Sequence, residues 1–273
     1  MTNPPDSPEL TRRAFLEQVT EAGARVFVFG GLVVTTAMLR LPQEATGESP
    51  ARRKKAADAV IYGFVVDTTK CIGCGSCVRA CKAENNVPDG FCRTWVEQYT
   101  FFPNGEVVVN SPKGGENGFA DALPERNLPE EIGPLPVRGF FVPKLCNHCI
   151  DTPCIQVCPV GASYKTPEGV VLVDPERCVG CGYCVQACPF GSRFLNPETK
   201  TADKCTWCYH RVLKGLNPAC VTVCPVGARQ FGKVDDPDDP VGKLIKEARL
   251  QVLKPEMGNQ PMVFYNGLDK EVR

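Results

Sequence analysis

The sequence predicts an α+β fold in which two similar halves carry short strands, short helices and long loops. Sixteen of the 17 cysteines fall into four groups of four. The first group resembles the third and the second resembles the fourth, which indicates an internal duplication. The 25 glycines and 25 prolines among 273 residues favour short elements joined by many turns.

The spacing of the cysteines indicates their chemistry. Groups one and three have the pattern C-x2-C-x2-C-x3-C of bacterial ferredoxins, and groups two and four keep C-x2-C at the front and C-x3-C-P at the back. A [4Fe-4S] cluster takes four thiolate ligands, and a C-x2-C-x2-C loop places three of them around one face. We therefore predict four [4Fe-4S] clusters as cofactors. The predicted ligands are Cys71, Cys74, Cys77 and Cys81 in group one; Cys146, Cys149, Cys154 and Cys158 in group two; Cys178, Cys181, Cys184 and Cys188 in group three; and Cys205, Cys208, Cys220 and Cys224 in group four.

Sequence similarity relates group one to group three and group two to group four. CIGCGSCVRAC, from Cys71, aligns with CVGCGYCVQAC, from Cys178, and VCPVGA occurs identically at Val157 and Val223. The simplest account is a duplicated bacterial two-cluster ferredoxin, with groups one and two in the first half and groups three and four in the second. In such ferredoxins the fourth cysteine of each run ligates the other cluster.

Glycines inside the cysteine loops have a predicted role of their own. Gly73, Gly75, Gly180 and Gly182 are expected to adopt positive φ and to bring backbone N–H groups close to the cluster sulfides. Such donors offset negative charge and raise the reduction potential.

Two other uses of cysteine fit the pattern less well than clusters do. Structural zinc takes paired C-x2-C motifs, but nothing in zinc chemistry calls for repeated C-x3-C-P. A disulfide framework suits an even count of sixteen, but crowded C-x2-C runs would form short, strained rings. Cys92 stands outside every group, and we interpret it as a small hydrophobic residue with an undetermined role.

The N-terminal segment resembles an export signal. Thr-Arg-Arg-Ala-Phe-Leu at residues 11–16 is similar to the twin-arginine motif, and an uncharged apolar run follows at residues 26–39. The run suits a signal h-region and is shorter than the roughly 20 apolar residues of a membrane span. We therefore expect export of a folded, cofactor-loaded protein to the periplasmic side of the membrane. The sequence leaves open whether the signal is cleaved or kept as an anchor.

The chain is predicted to contain three regions: the signal and linker at residues 1–56, a four-cluster module at residues 57–232, and a C-terminal extension at residues 233–273 that docks on the module or on a partner.

Zero formal net charge gives no basic excess, which argues against nucleic-acid binding. Apolar, β-rich runs predict strands leading into the first three cysteine groups, at residues 59–66, 137–142 and 169–173.

The remaining elements are predicted in chain order. A short helix is expected at residues 78–85, after the third cysteine of group one. Residues 97–136 form an insertion that begins with a hairpin around Pro-Asn-Gly at residues 103–105 and continues as a Gly- and Pro-rich loop. In the extension, residues 241–250 predict an amphipathic helix and residues 262–265 a last strand. No membrane helix is predicted after group four.

From about residue 61 onward the chain resembles the four-cluster iron-sulfur subunits of respiratory oxidoreductases, a family that includes the electron-transfer subunits of DMSO reductase and polysulfide reductase. Within that family it is similar to the NrfC type. The resemblance is carried by CIGCGSCVRAC, CNHCIDTPCIQVCPVGA, CVGCGYCVQACPF, and TADKCTWC with CVTVCPVGA. Some members have tryptophan in place of one ligand and hold a three-iron cluster, whereas this chain has cysteine at every such position. One departure is Lys82, where proline would be expected after Cys81.

The resemblance implies cross-pairing of the groups, one with four and two with three. The implied ligand sets are Cys71, Cys74 and Cys77 with Cys224; Cys205, Cys208 and Cys220 with Cys81; Cys146, Cys149 and Cys154 with Cys188; and Cys178, Cys181 and Cys184 with Cys158.

Four cysteines per cluster leave no iron open to a substrate, so we predict an electron carrier and not an enzyme. The two histidines, His148 and His210, lie inside cysteine loops and are expected to shield clusters or hydrogen-bond to them. The family implies two partners: an integral membrane quinone-binding subunit of the NrfD type, and a molybdopterin catalytic subunit or a multihaem cytochrome c. The alternative is the electron-transfer subunit of a hydrogenase or formate dehydrogenase complex.

Overall fold

The computed structural model describes residues 60–119 and 138–272, and the backbone of two short stretches, residues 25–29 and 32–36. The chain divides into two compact units, residues 1–55 and 56–273. In the first unit, strand β1 (Arg25–Phe29) pairs antiparallel with β2 (Leu32–Thr36), around the predicted apolar run. The twin-arginine motif at residues 11–16 lies outside the described residues.

Ten short strands occupy the described part of the second unit. They are β3 (Tyr62–Asp67), β4 (Thr94–Phe101), β5 (Val107–Asn110), β6 (Arg138–Leu145), β7 (Ser163–Lys165), β8 (Val171–Val173), β9 (Arg193–Leu195), β10 (Ala202–Lys204), β11 (Arg229–Lys233) and β12 (Val263–Asn266). The strands form two three-stranded sheets, β11-β3-β12 and β5-β4-β6, and two hairpins, β7-β8 and β9-β10.

The helices of this unit are equally short. They are α1 (Ser76–Asn85), α2 (Pro153–Gln156), α3 (Tyr183–Gln186), α4 (Tyr209–Val212), α5 (Ala219–Thr222) and α6 (Pro240–Glu247), with 3-10 turns at Pro112–Gly115 and Pro255–Met257. Helices α2 to α5 are single turns of four residues. Across residues 60–119 and 138–272, no helix combines the length and apolar character that crossing a membrane requires.

The predicted elements are confirmed with shifted ends. Each of the three strands expected before a cysteine group is present, as are the hairpin of the insertion, the helix in group one, and the helix and last strand of the extension. The first helix starts two residues earlier than predicted, at Ser76, because Gly75 already adopts the left-handed conformation at its N-cap. Residues 120–136 of the predicted loop lie outside the described residues.

Strand β3 is the centre of the core and brings distant parts of the chain together. Phe64, Val65 and Val66 are fully buried there. Strand β11, which follows group four, pairs antiparallel with β3, which leads into group one. The C-terminal β12 pairs parallel with the other edge of β3. In the same way, the β7-β8 hairpin joins the end of group two to the start of group three. Sheet pairing therefore decides which cysteine groups meet.

Candidate metal-cluster sites

The structure gathers the grouped cysteines into four sets, each with three cysteines of one group and the last cysteine of another. We name them site A (Cys71, Cys77 and Cys224, to which we assign Cys74 of the same loop), site B (Cys81, Cys205, Cys208, Cys220), site C (Cys146, Cys149, Cys154, Cys188) and site D (Cys158, Cys178, Cys181, Cys184). None of the 17 cysteines, all of which lie in the described residues, forms a disulfide.

Sites C and D each surround a cavity. The cavity at site C measures about 330 Å³ and is lined by all four cysteines of the site together with His148 and Phe190. The cavity at site D measures about 310 Å³ and is likewise lined by its four cysteines. A group bound in either cavity would therefore meet four cysteine sulfurs.

Sites A and B are recognised by contacts between their cysteines. The pKa of the Cys71 thiol is raised to about 11, chiefly by burial and also by the neighbouring Cys77 and Cys224 thiolates, against the opposing effects of the Gly73 N–H and Arg229. At site B the Asn85 side chain connects two groups, because its Nδ2 donates to Cys81 Sγ at 3.6 Å and to Cys208 Sγ at 3.7 Å.

The donor chemistry of the sites fits iron-sulfur clusters. The pKa of Cys149 is raised to about 12, chiefly by burial and also by its neighbours Cys146, Cys154 and Cys188. The four neighbouring thiolates of site C therefore repel one another unless a cationic group binds them. The pKa of Cys158 is lowered, because backbone N–H groups, chiefly that of Ser163, outweigh its burial. Backbone N–H groups that donate to a thiolate stabilise it as a ligand of an iron-sulfur cluster. No three His, Cys, Asp or Glu side chains of residues 60–119 and 138–272 converge closely enough for a single metal ion.

The predicted positive φ of the loop glycines is confirmed: Gly73, Gly75, Gly180 and Gly182 have φ between 67° and 77°. Gly75 and Gly182 are the N-caps of α1 and α3 at equivalent positions of the repeat. Gly180 is also restricted by space, because a Cβ atom there would lie 2.3 Å from the carbonyl oxygen of Lys200.

Gly180→Ala is therefore expected to destabilise the loop of site D by roughly 2 kcal/mol or more, since the left-handed conformation and the clash both oppose a side chain. The measurement is the temperature at which the visible cluster absorption is lost under anaerobic conditions. Gly105→Ala is the matched control: its φ is also positive, at 84°, but nothing lies within 4 Å of the added carbon. Equal shifts in the two variants would contradict the steric argument.

Contacts link the sites in the order A, B, C, D. Cys77 of site A adjoins Cys220 of site B, and Cys205 of site B adjoins Cys146 of site C. Sites C and D meet where Cys154 on α2 and Cys184 on α3 pack in one small hydrophobic cluster with Val171 and Ala202.

The inner sites are buried more deeply than the outer ones. All four cysteines of site B are buried, as are three of the four in site C. Cys181 of site D is exposed, and site A has three half-buried cysteines. Sites A and D, at the two ends of this order, therefore lie nearer the surface than sites B and C.

The two histidines, His148 and His210, differ in burial and in their hydrogen-bond partners. His148 is buried between sites C and B, where its Nδ1 accepts the N–H of Val171 at 2.9 Å and its Nε2 donates to the carbonyl oxygen of Cys205 at 3.1 Å. Its ring stacks on Trp207 with 3.9 Å between centroids. The prediction for His210 is wrong: its Nε2 pairs with Glu84 Oε1 at 2.7 Å, and the side chain is half exposed. It lies on α4, which brings it beside Glu84 of α1.

Sequence reasoning missed three buried cations beside the sites: Arg193, Lys204 and Arg229 are at most 4 % exposed. The signal was present for two of them. Arg193 and Arg229 each stand five residues after the last cysteine of a group, in the shared local pattern C-P-x-G-x-R. Cys92, in contrast, is half-buried against the core and belongs to none of the four sites.

Two family models match the chain. The 4Fe-4S dicluster domain matches residues 137–234, and the 4Fe-4S binding domain matches residues 64–84. The first range contains sites C and D and most of site B. The second contains the whole of group one.

Several curated proteins are similar over most of the chain. A tetrathionate reductase subunit of Salmonella typhimurium is 39% identical over 263 residues, covering 95% of this chain and 89% of that protein. The corresponding tetrathionate reductase subunit of Archaeoglobus fulgidus is 45% identical over 220 residues, covering 81% and 88%. Protein NrfC of Escherichia coli is 37% identical over 209 residues, covering 76% and 81%.

Proposed function

Because the chain belongs to the iron-sulfur electron-transfer subunits of respiratory reductase complexes, we propose that it relays single electrons through four [4Fe-4S] clusters held at sites A, B, C and D. The observation that carries this proposal is the arrangement of the sites. Two deeply buried inner sites connect two outer sites near the surface, as an electron path between two partners requires.

The sixteen grouped cysteines are the proposed ligands, with four thiolates for each cluster. A bound cluster supplies one-electron redox chemistry, and the protein controls its potential by burial, charge and hydrogen bonds. Here the backbone N–H groups around Cys158, the Asn85 amide between Cys81 and Cys208, and the N–H of Ala202, 3.3 Å from Cys178 Sγ, are donors to ligand sulfurs. Because every proposed site contains four cysteines, catalysis belongs to a partner and not to this chain.

We propose a membrane quinone-binding subunit of the NrfD type at one end of the path, and a molybdopterin catalytic subunit or multihaem cytochrome c at the other. Large apolar side chains are exposed beside both end sites: Ile72 and Val226 near site A, Val179 and Tyr183 near site D. Exposed apolar groups of this kind favour contact with other proteins. Tetrathionate is the first terminal acceptor to test, since two of the similar proteins are named tetrathionate reductase subunits.

The test is reconstitution of electron flow. We expect that membranes containing the full chain and its co-expressed partners oxidise a quinol and reduce the terminal acceptor, and that deletion of this chain stops the transfer while the catalytic subunit still works with an artificial dye. Dye-linked activity of the isolated chain, or quinol-linked reduction without it, would contradict the carrier role.

We also propose export through the twin-arginine pathway, supported by Arg12 and Arg13 ahead of the apolar run. Replacing both with lysine is expected to leave the cluster-loaded chain in the cytoplasm and to reduce its periplasmic fraction at least tenfold, because this pathway recognises the arginine pair. Cell fractionation and immunoblotting measure the effect, and replacement of Arg52 and Arg53 with lysine is the control. Unchanged export of the first variant would contradict the proposal.

A further inference from the structure

Two arginines end the same local pattern, C-P-x-G-x-R, after the last cysteine of groups three and four. Arg193 stands five residues after Cys188, and Arg229 stands five residues after Cys224. Each is the first residue of a strand, β9 or β11, that leaves a cysteine loop. Both side chains therefore follow a cysteine loop in the same local setting.

Both guanidinium groups are buried and only partly hydrogen-bonded. Arg193 is 4 % exposed and Arg229 2 %. One nitrogen of each has a hydroxyl partner: Arg193 Nη1 donates to Ser163 Oγ and Arg229 Nη2 donates to Thr94 Oγ1, both at 2.9 Å. The other two nitrogens of each group have no oxygen or nitrogen partner among the described residues, and a cysteine sulfur lies beside each group: Cys184 at Arg193 and Cys220 at Arg229. An unpaired buried cation is costly, so it requires a compensating negative charge nearby.

Cysteines of two different sites surround each arginine. The neighbours of Arg193 are Cys154 and Cys146 of site C and Cys184 of site D. Burial lowers the pKa of this guanidinium, but the three thiolates more than offset the effect and the net pKa is raised.

Arg229 repeats the arrangement at the other end. Its neighbours are Cys77 and Cys71 of site A and Cys220 of site B, and here too the thiolates outweigh burial and raise the pKa. Each arginine therefore lies at the junction of two consecutive sites.

Lys204 is a third buried cation, at the junction between sites B and C. Its Nζ donates to the carbonyl oxygen of Cys205 at 2.7 Å and to that of Val171. Both acceptors are neutral carbonyl groups. Burial lowers the pKa of the Lys204 ammonium, and the thiolates of Cys146 in site C and Cys205 in site B oppose this effect. One buried cation thus lies at each of the three junctions between consecutive sites: Arg229 between A and B, Lys204 between B and C, and Arg193 between C and D.

We propose that Arg229, Lys204 and Arg193 are fixed counter-charges that raise the reduction potentials of the two clusters on either side of each junction. The proposal rests on the four-cluster function above. An added electron makes a cluster more negative, and a fixed cation in a region of low dielectric constant stabilises that reduced state. A cation between two clusters also lessens the repulsion that an electron on one exerts on the next.

The test is a redox titration of the purified full chain, followed by EPR spectroscopy at controlled potentials. In Arg193→Gln we expect the clusters of sites C and D to become harder to reduce, with at least a tenfold lower ratio of reduced to oxidised cluster at a fixed potential, about 59 mV for one electron. The clusters of sites A and B should stay unchanged. Arg229→Gln should affect A and B alone, and Lys204→Met should affect B and C.

Two kinds of control separate charge from structure. Arg193→Lys and Arg229→Lys keep the charge and should keep the potentials, while Lys214→Met removes an exposed lysine charge and should change nothing. Unchanged potentials in a charge-removing variant would overturn the proposal, and so would lowered potentials in the lysine variants.

Iron and sulfide content is measured first, because fewer than four clusters in the unmodified chain would refute the four-cluster assignment and not the role of the cations. Where a glutamine variant loses clusters, the lysine variant at that position provides the test.

Discussion

Replacement of Cys188 by alanine is expected to remove one cluster, at site C, and to lower the iron content from about sixteen to about twelve atoms per chain, since a cubane contains four iron atoms and takes four thiolates. Cys188 stands in the sequence motif of group three, but it lines the cavity of Cys146, Cys149 and Cys154. The variant therefore distinguishes the two possible partners of this cysteine. Anaerobic iron and acid-labile sulfide analysis, with EPR of the dithionite-reduced protein, measures the loss.

The identity of the missing signal decides the assignment. Cys188→Ala should lose the same EPR signal as Cys149→Ala, whereas Cys158→Ala should lose the same signal as Cys181→Ala. The Cys92→Ala variant should retain all of the iron, because Cys92 belongs to none of the sites. If Cys188→Ala matched Cys181→Ala instead, each group would ligate its own cluster and the crossed arrangement would be refuted. Zinc without sulfide in the unmodified chain would refute clusters altogether.

Removal of all clusters is expected to unfold residues 60–272. The core contains Cys77, Cys146, Cys205 and Cys220 among its buried members, so cluster ligands are also core residues. The four single-turn helices all lie within the cysteine motifs and are too short to be stable alone. We therefore expect bound clusters to contribute folding free energy comparable with the roughly 5–15 kcal/mol by which ordinary domains are stable.

Far-UV circular dichroism and limited proteolysis of the chain, before and after anaerobic treatment with acid and a chelator, measure this dependence. The treated protein should have no cooperative thermal transition and should be digested rapidly within residues 60–272. Regain of the original spectrum after reconstitution with iron and sulfide is the control against irreversible damage. A cluster-free chain that kept a cooperative transition would show that the strands and their apolar core suffice.

The elements next to the cysteine groups were predictable because their signals are local. A run of apolar residues ahead of group one predicts β3, and Gly75 and Gly182 have positive φ because the loops turn tightly at equivalent places of the repeat. Group spacing likewise reflects a constraint within a few residues, since neighbouring thiolates must face one cluster.

Long-range features were not predictable in this way. His210 stands only two residues from Cys208, but α4 turns it toward Glu84 on α1, a contact between residues 126 positions apart. The roles of Arg193, Lys204 and Arg229 were likewise hidden, because an arginine or lysine in a sequence is ordinarily read as a surface residue. Only burial between two cysteine sites distinguishes these three.

The order of residues along the chain was enough to predict the number of cysteine groups, their duplication, the turns inside them and the family to which the chain belongs, since all of these depend on residues close together. The family resemblance implied which cysteines share a site, whereas three-dimensional packing was needed for the order A, B, C, D and for the deeper burial of the inner two. Pairing of β3 with β11, and of β7 with β8, brings those groups together. Such pairings join separate segments of the chain, and hydrogen bonds between backbones leave no residue pattern by which their partners could be identified.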